Sequence, residues 1–250
     1  MSGVPTMRSA TGAILVAAGR GERLGGRVPK QFLPFAGRPL FLHALAVLAE
    51  SPEIARTVLV VPAGWEERAA EAVAAAALSE AVSAVVAGGA RRQDSVRLGL
   101  QALPPAVTHV LVHDAARPFL SAALVARTVA AARRAGAATA ALPVAETLMR
   151  AQAAAHVAAA HVDRTGIWAV QTPQVFTVDL LRAAHAAAEA DGFEASDDGT
   201  LVLRLEAKIE FVPGEWWNLK VTGPEDLQRA QWIWRAHSQG WLDGAETAER

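Results

Sequence analysis

Five short runs in this chain stay largely apolar on consecutive residues instead of alternating with polar ones: Ala13–Ala18, Thr57–Val61, Val82–Ala87, His109–His113 and Ala137–Pro143. A strand without alternation is buried on both faces. Helix-length stretches separate the runs, at Pro39–Glu50, Trp65–Leu78, Ser95–Leu103 and Ala122–Ala135. Together these features predict an α/β fold: a Rossmann-like, mostly parallel sheet with helices on both faces. Further on, a helix is expected at Val178–Ala190, a strand at Lys208–Val212 and a last helix opening on Pro224-Glu225-Asp226. A length of 250 residues suits one large domain, residues 1–250. Ligands of such sheets bind beyond the carboxyl ends of the strands.

The residues with chemical potential fall at those ends. After the first run comes a loop with Gly19, Gly21, Gly25 and Gly26 among Arg20, Arg23, Arg27 and Lys30. Glycines alone only turn a chain, but a turn needs no four cations. A buried strand opening into such a loop can wrap amides and cationic side chains around a polyphosphate. The spacing G-x-G-x-x-x-G is not the dinucleotide fingerprint, and no G-K-[ST] element makes a P-loop. After the third run, Gly88-Gly89-Ala90-Arg91-Arg92-Gln93-Asp94-Ser95 reads alone as a strand-to-helix turn capped by Asp94 or Ser95. After the fourth, His113-Asp114-Ala115-Ala116-Arg117-Pro118 reads either as a closing salt bridge or as an acid and a cation facing a ligand.

The block A-A-G-x-G-x-R at Ala17–Arg23, followed by Pro29-Lys30-Gln31, resembles the nucleotidyltransferases that activate sugars and sugar alcohols. More narrowly, the chain is similar to the 2-C-methyl-D-erythritol 4-phosphate cytidylyltransferase family of non-mevalonate isoprenoid synthesis. Five blocks in order, from the first strand to the last helix, carry that resemblance. It implies CTP and a polyol phosphate as substrates, Mg2+ as cofactor, and transfer of CMP with release of pyrophosphate. Arg23, Lys30 and Lys220 are then the catalytic cations, the last in Asn218-Leu219-Lys220-Val221-Thr222. The nucleotide is expected on Ala17, Ala18, Gly19, Gly89, Ala90 and Ser95. Asp114, Arg117, Thr147, Arg164 and Thr172 are expected at the polyol phosphate. Mg2+ is expected mainly on the CTP phosphates, with Asp114 as a further candidate ligand.

The stretch Glu146–Ile167, within an insertion at about residues 145–167, breaks the strand–helix alternation. Alone it is a surface loop. The resemblance makes it a protruding arm that clasps a second subunit, with Arg164 reaching across a homodimer. Two residues depart from the family pattern: Glu146 where aspartate is usual, and Met149 in place of a frequent lysine.

The remaining features exclude more than they assign. A net charge of −1 favours neither nucleic acid nor an anionic membrane, so any phosphate site is a local concentration of cations. There are no cysteines, hence no disulfides or thiolate metal sites. No segment reads as a signal peptide or a membrane span, so a cytoplasmic location is expected. Asp197-Asp198 reads as a metal pair or as an acidic helix start. His156, His161 and His185 read as surface or arm residues. Trp216, Trp217, Trp232, Trp234 and Trp241 are expected to pack the last helix. Two other functions stay open on sequence: a cytidylyltransferase for another polyol phosphate, such as ribitol 5-phosphate, and a non-catalytic nucleotide-binding homologue.

Overall fold

Seven strands form one sheet in a computed structural model that describes residues 10–19, 28–152 and 156–240. In chain order the strands are β1 (Ala10–Val16), the short pair β2 (Pro34–Phe35) and β3 (Arg38–Pro39), β4 (Ile54–Val61), β5 (Val82–Ala87) and β6 (Val107–Asp114). They continue with β7 (Ala137–Pro143), β8 (Leu148–Ala151), β9 (Ala158–Val162), β10 (Trp168–Thr177) and β11 (Glu210–Pro213). The helices are α1 (Phe41–Glu50), α2 (Glu66–Ala75), α3 (Arg92–Gln101), α4 (Ala122–Ala135), α5 (Val178–Ala190), α6 (Asp198–Leu203) and α7 (Pro224–Ser238). The sheet order is β11-β7-β10-β6-β1-β4-β5. All neighbours pair parallel except β10, which runs antiparallel to both β6 and β7.

The missing alternation in the apolar runs has the expected cause. Ala13, Leu15 and Ala17 face a core built with α1, α2 and α4, whereas Ile14 and Val16 face one built with α3, α5 and α6. Helix α3 lies very close to β1: a Cβ on Gly99 would stand 2.7 Å from Ile14 Cγ2. Its start, Arg92, lies three residues before the expected Ser95, so Asp94 is its third residue and accepts from the Arg91 N–H at 3.1 Å.

Strand β10 is not among the strands expected from the sequence, and Gln171-Thr172-Pro173-Gln174 lies within it. Between Val170↔Ala141 and Gln174↔Thr139 the register shifts, so three residues bulge opposite one, with a cis Thr172–Pro173 bond among them. Lys220 lies in the irregular connection between β11 and α7. The insertion forms a separate two-stranded sheet, β8 with β9, whose residues are mostly exposed.

Helix α7 covers a third apolar cluster of Phe35, Leu40, Phe119, Trp217, Val221 and Ala230. Trp217 and Trp234 pack there as expected, the latter edge-on to Phe35 and His43. Trp216 and Trp232 instead stay 60% and 65% exposed, on the solvent side of their segments. Trp241 lies outside the described residues. Among the described residues no helix is long and apolar enough to cross a membrane.

Candidate active site

The parallel strands β1, β4, β5 and β6 end together, and the strand order turns at β1, which has β4 on one side and β6 on the other. Val16 pairs with Asp114, and the Ala115 N–H donates to the Val16 carbonyl, 3.0 Å. A cavity of about 400 Å³ opens over this crevice, lined by Ala18, Gly19, Gly89, Ala90 and Ser95 on one side and Lys30, Gln31 and Thr222 on another. A second cavity, about 210 Å³, is lined by Arg117, Gln171, Thr172, Gln174, Ser196 and Asp197. Arg92, Asp114 and Lys220 line both and so form their common wall.

The loop from β5 into α3 fits because residue 88 has no side chain. A Cβ on Gly88 would stand 2.2 Å from the Ala18 Cβ, so this close approach of the two loops requires glycine. Ser95 fastens the same loop: its Oγ accepts from the Gly89 N–H (3.1 Å) and donates to the Arg91 carbonyl (3.0 Å). Of the expected nucleotide contacts, only Ala17 stays off the cavity lining. It is fully buried, and its N–H donates to the Val60 carbonyl.

The connection that carries Lys220 is tied down at several points. Asn218 is fully buried and its Nδ2 donates to the Thr172 carbonyl at 2.7 Å. The Val221 N–H donates to Ala116 O, and Lys30 Nζ donates to Val221 O at 2.8 Å. Arg117 Nη1 clamps the segment by donating to the Asn218 carbonyl at 2.6 Å.

The common wall is a row of alternating charges. Lys220 Nζ lies 2.7 Å from Asp114 Oδ2, Arg92 Nε lies 3.0 Å from Asp114 Oδ1, and Arg92 Nη1 lies 2.7 Å from Asp198 Oδ2. Burial alone would raise the Asp114 carboxyl, but the charges of Arg92 and Lys220 hold it well below the usual carboxylate range. Asp198 is likewise held down against its burial, chiefly by Arg92. The sequence does not single out Arg92. His185, expected at the surface, is a correction: it is 2% exposed, and its Nε2 lies 3.2 Å from Asp198 Oδ1. Asp197 is the N-cap of α6 and accepts from the Thr200 N–H, so the acidic pair starts a helix.

Asp114 does not fit a Mg2+ ligand as it stands, because each carboxylate oxygen is engaged by a cationic side chain. Among the described residues no three acidic or histidine side chains gather as a metal cluster.

Thr172 joins the wall from β10. The Asp114 N–H donates to its Oγ1 at 3.1 Å, and that hydroxyl lies 3.0 Å from His113 Nδ1. His113 Nε2 faces the Arg117 carbonyl at 3.2 Å. A carbonyl only accepts, so Nε2 carries the proton, Nδ1 accepts, and the Thr172 hydroxyl donates to it. Burial pushes His113 down to about 4 from an ordinary value near 6.5. The unfolded chain therefore takes up this proton first on acidification. Stability from this group is intact above about pH 6.5, falls with pH, and reaches its full loss below about pH 4. Between pH 7 and 5 the expected loss is about 2 kcal/mol. Urea unfolding at the two pH values checks it, with His113→Gln showing a correspondingly smaller pH dependence.

Thr147 and Arg164 lie apart from both cavities. Both are exposed on the insertion, and Arg164 Nη1 donates to the Ala145 carbonyl. Arg23 lies outside the described residues.

Comparison with known proteins agrees with this geometry. Residues 11–236 match the family model described as IspD, 2-C-methyl-D-erythritol 4-phosphate cytidylyltransferase. The chain is 40% identical over 219 residues to the 2-C-methyl-D-erythritol 4-phosphate cytidylyltransferase of Desulforamulus reducens, covering 88% of this chain and 93% of the relative. It is 41% identical over 242 residues to that of Deinococcus radiodurans, covering 97% of each. The crystal structure of the Thermus thermophilus enzyme of that name superimposes with a TM-score of 0.74 at 39% identity, over 90% of this chain and 99% of that one. The chain belongs to the 2-C-methyl-D-erythritol 4-phosphate cytidylyltransferase family.

Proposed function

We propose that the chain transfers CMP from CTP to 2-C-methyl-D-erythritol 4-phosphate, releasing pyrophosphate. The observation that carries the reading is the pair of cavities divided by Arg92, Asp114 and Lys220, as a reaction between two bound substrates requires. CTP occupies the larger cavity, its base and ribose against Ala18, Gly89, Ala90 and Ser95 and its triphosphate towards Gly19 and Lys30. The polyol phosphate occupies the smaller one, beside Asp114, Arg117 and Thr172.

A phosphate oxygen of the polyol substrate attacks the α-phosphorus of CTP. The bond to the bridging oxygen breaks and pyrophosphate leaves with that electron pair. The attacking phosphomonoester is already anionic, with a second pKa near 6, so no general base is needed. Asp114 is not that base: it stays ionised and tied to two cations, where it aligns Lys220 and accepts from a polyol hydroxyl. The remaining task is to hold two anions in line and stabilise charge on the transferring group, which falls to Lys30, Lys220 and Arg23. When bound with CTP, Mg2+ would neutralise charge on the triphosphate beside Lys30.

Thr147 and Arg164 serve the polyol phosphate of a neighbouring subunit, since they lie apart from the cavities of their own chain. A homodimer joined through the β8–β9 arm follows. Sedimentation at micromolar concentration is expected to show a dimer; monomer alone contradicts it.

The test of the function is pyrophosphate release with CTP and Mg2+, comparing 2-C-methyl-D-erythritol 4-phosphate with ribitol 5-phosphate. Strong preference for the first is expected. Preference for the second reassigns the substrate, and CTP binding without release with either marks a non-catalytic homologue.

A further inference from the structure

Behind the common wall stand two buried ionisable residues that line neither cavity. Asp198 is fully buried at the start of α6, and His185 is buried on α5. The His185 Nε2–H donates to Asp198 Oδ1, while Asp198 Oδ2 accepts from Arg92 Nη1. Arg92 in turn donates from Nε to Asp114, which also holds Lys220. The row from Lys220 through Asp114 and Arg92 to Asp198 therefore alternates in sign and ends on a carboxylate away from either cavity. Take away that last negative charge, and two cations compete for the single carboxylate of Asp114. A guanidinium freed from Asp198 turns more of its donors onto Asp114 and loosens the hold on Lys220.

Resting on the cytidylyltransferase reading, we propose that Asp198, steadied by His185, is a positioning residue for nucleotidyl transfer: it anchors Arg92 from behind and thereby fixes Asp114 and Lys220. The competing account is a buried ion pair that only joins α3, α5 and α6. The two differ in what they do to turnover per folded molecule. A displacement of about 1 Å at reacting groups can cost about 100-fold in rate. Asp198→Asn, nearly the same shape without the charge, is thus expected to lower kcat about 10- to 100-fold.

The experiment measures kcat and CTP affinity for wild type, Asp198→Asn, Asp114→Asn and the double variant, scaled to the folded fraction found by CTP titration. The expected result is a low kcat for Asp198→Asn with CTP affinity within about threefold, and a double variant no slower than Asp114→Asn alone. Unchanged kcat per folded molecule, or losses that multiply, overturns the proposal in favour of the structural ion pair. Should Asp198→Asn fail to fold, His185→Gln is put through the same cycle with Asp114→Asn. It keeps the Arg92–Asp198 pair but alters the support of Asp198. Lowered kcat without multiplication supports the proposal, and unchanged kcat overturns it. A wild-type protein that releases no pyrophosphate overturns the functional reading itself, an outcome distinct from all of these.

Discussion

Lys30→Ala is expected to lower turnover about 10²–10³-fold while CTP still binds, the loss typical of removing one donor aimed at developing charge. Lys30 opens a short turn, Lys30–Phe32, directly after the first glycine-rich loop. Its Nζ is anchored on the Val221 carbonyl at 2.8 Å, so the ammonium is held on the cavity wall close to the segment that carries Lys220. In the proposed reading the cytosine and ribose rest on the loop around Gly89, which the substitution leaves in place. Steady-state kinetics with calorimetric CTP titration separates the two effects. A Lys30→Ala protein with near wild-type kcat removes this residue from the mechanism.

Asp114→Asn is expected to impair both stability and activity. The carboxylate accepts from Arg92 on one oxygen and Lys220 on the other, and an amide offers one oxygen and turns its NH2 towards the remaining cation. Removing one partner of a buried ion pair costs about 3–5 kcal/mol. The figure here is lower, about 2–3 kcal/mol, because Arg92 retains Asp198 and the Lys220 side chain reaches water. Denaturant unfolding at neutral pH measures it. Turnover falls in addition, by about 100-fold or more, since the aligned ammonium of Lys220 is lost with its carboxylate. Wild-type activity in a folded Asp114→Asn variant contradicts the arrangement of the common wall.

The sheet was legible in the chain because both of its faces are buried. That condition wrote consecutive apolar residues into β7, and the observed bounds, Ala137–Pro143, are those expected; β5, at the sheet edge and only half-buried, also keeps its expected bounds, Val82–Ala87. Strand β10 was illegible for the opposite reason. Gln171, Thr172 and Gln174 look like turn residues, yet they are buried and satisfied by partners far along the chain. Gln171 Nε2 donates to the Glu215 carbonyl, Gln174 Nε2 to Asp197, and Thr172 Oγ1 accepts from Asp114. Tertiary hydrogen bonding of that kind leaves no local pattern. The same holds for His185, one polar residue on an alanine-rich helix where periodicity discriminates little between faces.

In the candidate site, the short-range motifs placed most of the lining. The first glycine-rich loop and the acid at the end of β6 pointed to Gly19 and Asp114, and the family resemblance pointed to Gly89 and Ser95; all four meet at the crevice. Arg92 escaped because adjacent arginines look equivalent in sequence. Only the start of α3 separates them: Arg91 stays outward, paired with Asp94 at 2.7 Å, and Arg92 turns in towards Asp114 and Asp198. The signal that was available is the pair of acids without a partner, Asp114 and Asp198, which a buried site obliges some cation to neutralise.

The most direct test of nucleotidyl transfer is a phosphorus NMR spectrum of CTP, Mg2+ and 2-C-methyl-D-erythritol 4-phosphate incubated with the protein. The triphosphate signals are expected to decline in step with the appearance of pyrophosphate and of two coupled resonances from a new cytidine diphosphate diester. A spectrum in which CTP persists, or yields pyrophosphate with CMP and no diester, contradicts that chemistry.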